Sequence, residues 1–193
     1  MDQLDQCPDY YRDPSTDAAL EGTVEFIEFI RESKQNQAGL VQPVVTPRFI
    51  PSCSDAALEG LGQIASDYQC HVQTHCSESD WEHQFVIDRF GRTDTVMLRE
   101  FGLLQRNTIL AHSNLISEQD MDLIKDTGAG IAHCPLSNIY FSHSVFPLRR
   151  ALDKGLRVGL GTDISGGPSP SIFENCRYAI SGSRMLEDGV DPS

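Results

Sequence analysis

Six side chains carry most of the chemistry that this sequence could perform: Arg48, His75, Glu78, His112, His133 and Asp163. Neutral imidazoles and a carboxylate together bind zinc or a similar ion, whose charge brings the pKa of a bound water to about neutrality. A carboxylate just outside such a centre can take the water's proton and pass it to a leaving group. The implied chemistry is that of a hydrolytic metal centre. Within His71-Val72-Gln73-Thr74-His75 two histidines lie four apart, which would suit a metal pair on a helix. The segment instead follows a helix already complete at Tyr68 and alternates with period two, so it reads as a strand. On a strand the two histidines share a face but stand about 13 Å apart, too far to hold one ion. His75, at the strand's carboxyl end, is therefore the candidate ligand, and His71 a structural or second-layer residue. Glu78, read as one helical turn further on, is placed for the proton-transfer role. Its competing reading is an acidic residue in the first turn of a helix.

These residues need elements that bring them together. After a polar loop over 1–17, Leu20, Val24, Ile27 and Ile30 recur at helical spacing in a helix ending near Gly39. Leu40 to Thr46 reads as a strand, and a helix from Asp55 carries Leu58, Leu61 and Ile64 on one face. The strand Cys70 to His75 precedes a helix over Ser77 to Phe90 that Gly91 stops. Thr108 to His112 is the third strand. Ser117 and Asp120 then cap a helix that Gly128 ends. Gly130 to Pro135 is the next strand, followed by a helix over Phe146 to Lys154 closed by Gly155. The strand Leu156 to Asp163 comes last, and Ser171 with Glu174 forms a capping box for a final helix. Such alternation predicts an α/β fold with parallel strands. Arg48, His75, His112, His133 and Asp163 all fall at or just past strand carboxyl ends, the edge on which α/β barrels and open α/β sheets build their sites.

Composition excludes several other functions. The chain has 193 residues, enough for one domain, and a net charge of −13 with no Lys/Arg cluster. Nucleic acid and anionic membranes are therefore excluded as partners. No apolar run approaches a membrane span. The acidic start Met1-Asp2-Gln3-Leu4-Asp5 lacks leader character, and the six cysteines contain no CxxC, which together predict a cytoplasmic protein with reduced thiols. There is no HExxH and no HxE with PCxxC, so a zinc-protease helix and a cytidine-deaminase-type site are excluded. Gly166 and Gly167 in GLGTDISGG read as turn glycines rather than a phosphate loop.

In their order and spacing, TPRF, HVQTHCSE, ILAH, IAHCPLSN and GLGTDISGG resemble the amidohydrolase superfamily, and within it the guanine deaminase family. VTPRF followed by SCS is the part that points to guanine. The resemblance implies a zinc-dependent (β/α)₈ barrel, here partial with strands four to eight, that hydrolyses guanine to xanthine and ammonia. His75 and Asp163 would be the metal ligands and Glu78 the proton shuttle. His112 would face the metal-activated water. Arg48 and Phe49 would hold the purine, with His75 and Glu78 beside it, and His133 would be structural. The family's HxH strand has no counterpart in this sequence, and a full barrel needs roughly 250 residues. The expectation is thus one incomplete barrel domain over 1–193. Zinc binding by the isolated chain should then be weak, guanine turnover absent, and self-association, a homodimer included, favoured by an unpaired strand edge. Two alternatives stay open: an amidohydrolase acting on another aminated heterocycle, and a non-catalytic barrel remnant that associates with a longer copy.

Overall fold

A computed structural model describes residues 1–3 and 5–186 of the chain. Five strands, β1 (Val44–Val45), β2 (His71–Cys76), β3 (Thr108–His112), β4 (Gly130–His133) and β5 (Arg157–Leu160), form one sheet in chain order. Every neighbouring pair is parallel, as in a partial (β/α)₈ barrel. Parallel neighbours require crossovers, and the helices supply them. They are α1 (Thr16–Glu32), α2 (Asp55–Asp67), α3 (Asp80–Phe90), α4 (Asp94–Glu100), α5 (Glu118–Thr127), α6 (Pro135–Ser142), α7 (Leu148–Asp153) and α8 (Ile172–Leu186). Among the described residues no helix is long and apolar enough to cross a membrane.

The strands alternate as half-buried strands must. Val72, Thr74 and Cys76 of β2 and Thr108 and Leu110 of β3 are buried. Behind them Leu58, Leu98, Met121, Ile124 and Phe146 complete the core. His71, Gln73 and Ile109 lie on the opposite, open face. His71 is exposed on that face, two alternations before His75.

Several boundaries differ from the sequence reading. α1 begins four residues earlier than Leu20, because Ser15 accepts the Ala18 N–H, and it ends at Glu32 where Ser33 turns extended. β1 is two residues long, because Leu40 and Val41 belong to a loop in which Asn36 hydrogen-bonds both backbone groups of Val41. Pro43, with no N–H to give, precedes the strand. α3 starts at Asp80 instead of Ser77, since Ser77 is left-handed (φ 47°) and Ser79 is the cap. Glu78 thus precedes the helix and is not in its first turn. β4 stops at His133 because Pro135 opens α6, and β5 stops at Leu160, short of Asp163. α7 spans only Leu148–Asp153 of the predicted helix over Phe146 to Lys154. The sequence reading missed α4 and α6. The capping box on α5 and its left-handed Gly128 stand as expected.

Gly62 shows how tightly this layer is packed. A Cβ there would lie 1.9 Å from the Phe101 carbonyl oxygen, where α2 meets the end of α4. Gly62→Ala is expected to destabilise the chain by about 1–3 kcal/mol through overpacking, read as a lower denaturation midpoint at unchanged m-value.

Candidate functional site

The end of β2 is fixed by the Arg48 carbonyl. It accepts the His75 backbone N–H at 3.0 Å and faces His75 Nδ1 at 2.7 Å. A carbonyl oxygen can only accept, so Nδ1 carries the hydrogen and Nε2 keeps its lone pair. β3 pairs Cys76 with His112 and His75 with Ala111. Strict alternation would therefore turn His112 to the helix side, away from His75. Its left-handed backbone (φ 67°) breaks that alternation, and the two imidazoles stack at 5.3 Å and 17°. Ser77 (φ 47°), Ser113 (φ 57°) and Asp163 (φ 51°) are left-handed too. Non-glycine residues tolerate this conformation only where their surroundings impose it, and they gather at functional sites.

Glu78 sits on the turn between β2 and α3. Its N–H donates to Glu82 Oε2 at 2.8 Å, and its carbonyl accepts from Asn114 Nδ2 at 2.8 Å. Ser142 Oγ donates to its Oε1 at 3.3 Å, and the same oxygen lies 3.7 Å from His112 Nε2. Ligand atoms of His75, Glu78 and His112 all fall within 4.8 Å of one another. Two imidazoles and a carboxylate are a donor set that fits zinc or a similar divalent ion.

Asp163 is not in that trio. Its Oδ2 accepts from Ser137 Oγ at 2.6 Å, and its backbone carbonyl accepts the Gly167 N–H. Gly167 has no room for a side chain, since a Cβ there would stand 2.2 Å from the Thr162 carbonyl oxygen. Burial first, then the charges of Asp163 and Glu78, push the Cys134 thiol up to about 12, so it is no nucleophile. His133 lies behind the site, its ring 5.0 Å from Phe146. Burial, reinforced by His112, takes its pKa down to about 4.

The Arg48 guanidinium covers the Phe49 ring at 5.7 Å, and Phe49 meets Trp81 at 6.1 Å. Arg48 and Phe49 border a cavity of about 280 Å³ that Gln6, Tyr10 and Tyr11 also line. A larger cavity of about 580 Å³ between α1, α2 and β1 is lined by none of the clustered residues.

Beneath Glu78 lies a polar group that the sequence reading missed. Glu82 and Asp94 are each 1 % exposed. Asp94 Oδ2 accepts from Ser77 Oγ at 3.0 Å and pairs with His83 Nδ1 at 2.9 Å, a bond that raises the His83 pKa against the effect of burial. Burial, then the Asp94 charge, raises Glu82 well above the ordinary carboxylate range. A hydrogen bond with Asp94 raises it further, so the proton that Glu82 keeps has a partner. The spacing Glu78 to Glu82 was one available signal. Asn138, Ser137 and Ser142 were missed with α6, although Pro135 two residues after His133 marks a helix start.

The profile of the amidohydrolase family matches residues 5–193. A probable guanine deaminase of Schizosaccharomyces pombe is 37 % identical over 93 % of this chain and 34 % of its own length. The guanine deaminase of Dictyostelium discoideum is 37 % identical over 94 % of this chain and 40 % of its own. Among solved structures, the guanine deaminase from C. acetobutylicum with bound guanine in its active site superposes with a TM-score of 0.88. It is 34 % identical, with 96 % of this chain and 43 % of that chain covered. The chain thus spans well under half the length of these relatives.

Free histidine titrates near 6.5 and folded His133 near 4, so between those values the unfolded chain binds more protons. Stability is therefore expected to fall as pH drops from about 6.5 to about 4, by up to about 3 kcal/mol from this residue. His133→Gln should remove that part of the slope in denaturant melts across this range.

Proposed function

This chain belongs to the amidohydrolase family, and from that premise we propose that it forms the catalytic edge of a zinc-dependent guanine deaminase. The observation that carries the reading is the convergence of His75, Glu78 and His112 within 4.8 Å, on the sheet edge that also bears Arg48 and Phe49. The guanine deaminases similar to this chain support the choice of substrate. The likeness to a solved chain with guanine in its active site supports it further.

His75 Nε2, from the convergent trio, would hold the zinc together with Asp163, which stands outside the trio with its Oδ2 held by Ser137, and the His112 ring would lie beside them. When bound, the ion lowers the pKa of a water to about neutrality. The Glu78 carboxylate, steadied by Ser142, accepts that water's proton and delivers it to the departing amino group. The water oxygen bonds to the purine carbon, the carbon–nitrogen bond breaks, and guanine becomes xanthine and ammonia. Arg48 donates hydrogen bonds to the purine's acceptor edge, and Phe49 packs on its ring. The six cysteines, all free thiols, suit a cytoplasmic site for this purine breakdown.

The test is ammonia release from guanine by the zinc-supplemented chain, alone and after co-refolding with the part of the Schizosaccharomyces pombe relative that this chain does not match. Turnover in the reconstituted protein is expected, and its absence in both samples with metal bound would overturn the reading. Turnover of a different aminated heterocycle in place of guanine would overturn the substrate.

In the active sample three variants separate the roles. Glu78→Gln should keep the metal and lose most of the rate, because an amide cannot take the proton. His75→Ala should lose the metal, read by atomic absorption. Arg48→Ala should keep the metal but lose about 2–4 kcal/mol in kcat/KM for guanine.

A further inference from the structure

One short helix, α6, serves the site at three points. Ser137 donates to Asp163, Ser142 donates to Glu78, and Asn138 meets His112. Asn138 is the most constrained of these. Its Oδ1 lies 2.8 Å from His112 Nδ1, and its Nδ2 lies 3.3 Å from His133 Nδ1. All three side chains are within 2 % of complete burial, so no water competes for these bonds. The helix itself is anchored, with the Leu136 N–H donating to Asn175 Oδ1 on α8.

An asparagine amide has an acceptor end and a donor end, and each must meet its complement. With Oδ1 toward His112, the His112 Nδ1 must carry hydrogen. With Nδ2 toward His133, the His133 Nδ1 must be an unprotonated acceptor. A neutral His133 satisfies this, and its buried place beside Phe146 favours the neutral form. The His112 Nε2 is then left as a lone pair, 3.7 Å from Glu78 Oε1 and beside His75.

We propose that Asn138, itself oriented by His133, is a positioning residue that locks His112 in the Nδ1–H tautomer and so presents the Nε2 lone pair to the reacting water. The proposal rests on the role given above to His112, and its first test does not depend on turnover. Histidine in water prefers the Nε2–H tautomer, so the lock works against the ring's own preference.

Two-bond ¹H–¹⁵N correlation spectra of the chain with ¹⁵N-labelled imidazoles read the tautomer directly. The wild-type chain should show His112 protonated on Nδ1. Asn138→Asp keeps the acceptor and should keep that tautomer. Asn138→Leu removes it and should move His112 toward Nε2–H. If Asn138→Leu does not fold, His133→Phe serves instead: it frees the amide to turn over and should give a mixture of tautomers. An Nε2–H tautomer in the wild-type chain would overturn the proposal, because it means the amide faces the other way. So would an unchanged Nδ1–H tautomer in folded Asn138→Leu.

In the reconstituted guanine-hydrolysing protein, Asn138→Leu should lower kcat about 10- to 100-fold with KM little changed, and Asn138→Asp should recover most of it. Equal losses in both variants would overturn the positioning role. A wild-type protein without turnover would overturn the functional reading alone, while the tautomer spectra still decide the role of Asn138.

Discussion

The pairing of β2 with β3 is the interaction on which the rest of the site depends. Five residue pairs run in register from Val72 with Thr108 to Cys76 with His112. The pairing continues beyond the strands, through the Ser113 N–H to the Cys76 carbonyl and the Asn114 N–H to the Ser77 carbonyl. These bonds level the two strand ends, so that the chain reversals at Ser77 and Ser113 lie side by side. A slip of one residue would send the side chains of β2 to the opposite face and part His75 from His112. Left-handed turns at Ser77, His112 and Ser113 then aim the side chains, and the surrounding bonds hold a conformation that these residues otherwise avoid.

The polar groups under the site extend the same logic. Glu82 and Asp94 are buried carboxyls, costly to place in a core without partners. Ser77 and His83 satisfy Asp94, and Glu82 spends one oxygen on the Glu78 backbone. The proton that burial keeps on Glu82 is shared with Asp94. A fold selected for stability alone would favour apolar side chains at such positions. What the arrangement achieves is a rigid turn carrying Glu78, with its N–H and its carbonyl both bound. The support comes from α3 and from the segment after β3, so Glu78 is held from two directions.

Among the described residues only one face of the sheet is fully covered. Helices pack on the side of Val72, Leu110 and Ile131, whereas His71, Gln73 and Ile109 face outward on the other. Parallel sheets are ordinarily covered on both faces, and the relatives that match this chain are more than twice its length. The clustered residues nevertheless take their positions from elements inside the described chain: β2, β3, α6 and the turn before α3.

Much of this was legible in the sequence because it depends on local pattern. Period-two alternation identified β2 as a strand and separated His75 from His71. The apolar runs of β3 and β4 and the capping box of α5 were equally plain, and so was the placement of the chemistry at strand carboxyl ends. The motif order further implied the family. Tertiary structure decided the rest. Alternation assigns His112 to the wrong face, and only a left-handed backbone imposed by its neighbours turns it to His75. The roles of Asn138, Ser142 and Glu82 rest on hydrogen bonds that join residues from separate elements or across a turn, and no periodicity encodes such partners. The ends of β1 and β5 were set by loop hydrogen bonds and sheet pairing rather than by composition. The sequence by itself determined which residues could do chemistry and on which edge they gather. The packed sheet decided which of them meet, because distance and ring orientation depend on register and backbone sign, which residue spacing does not carry.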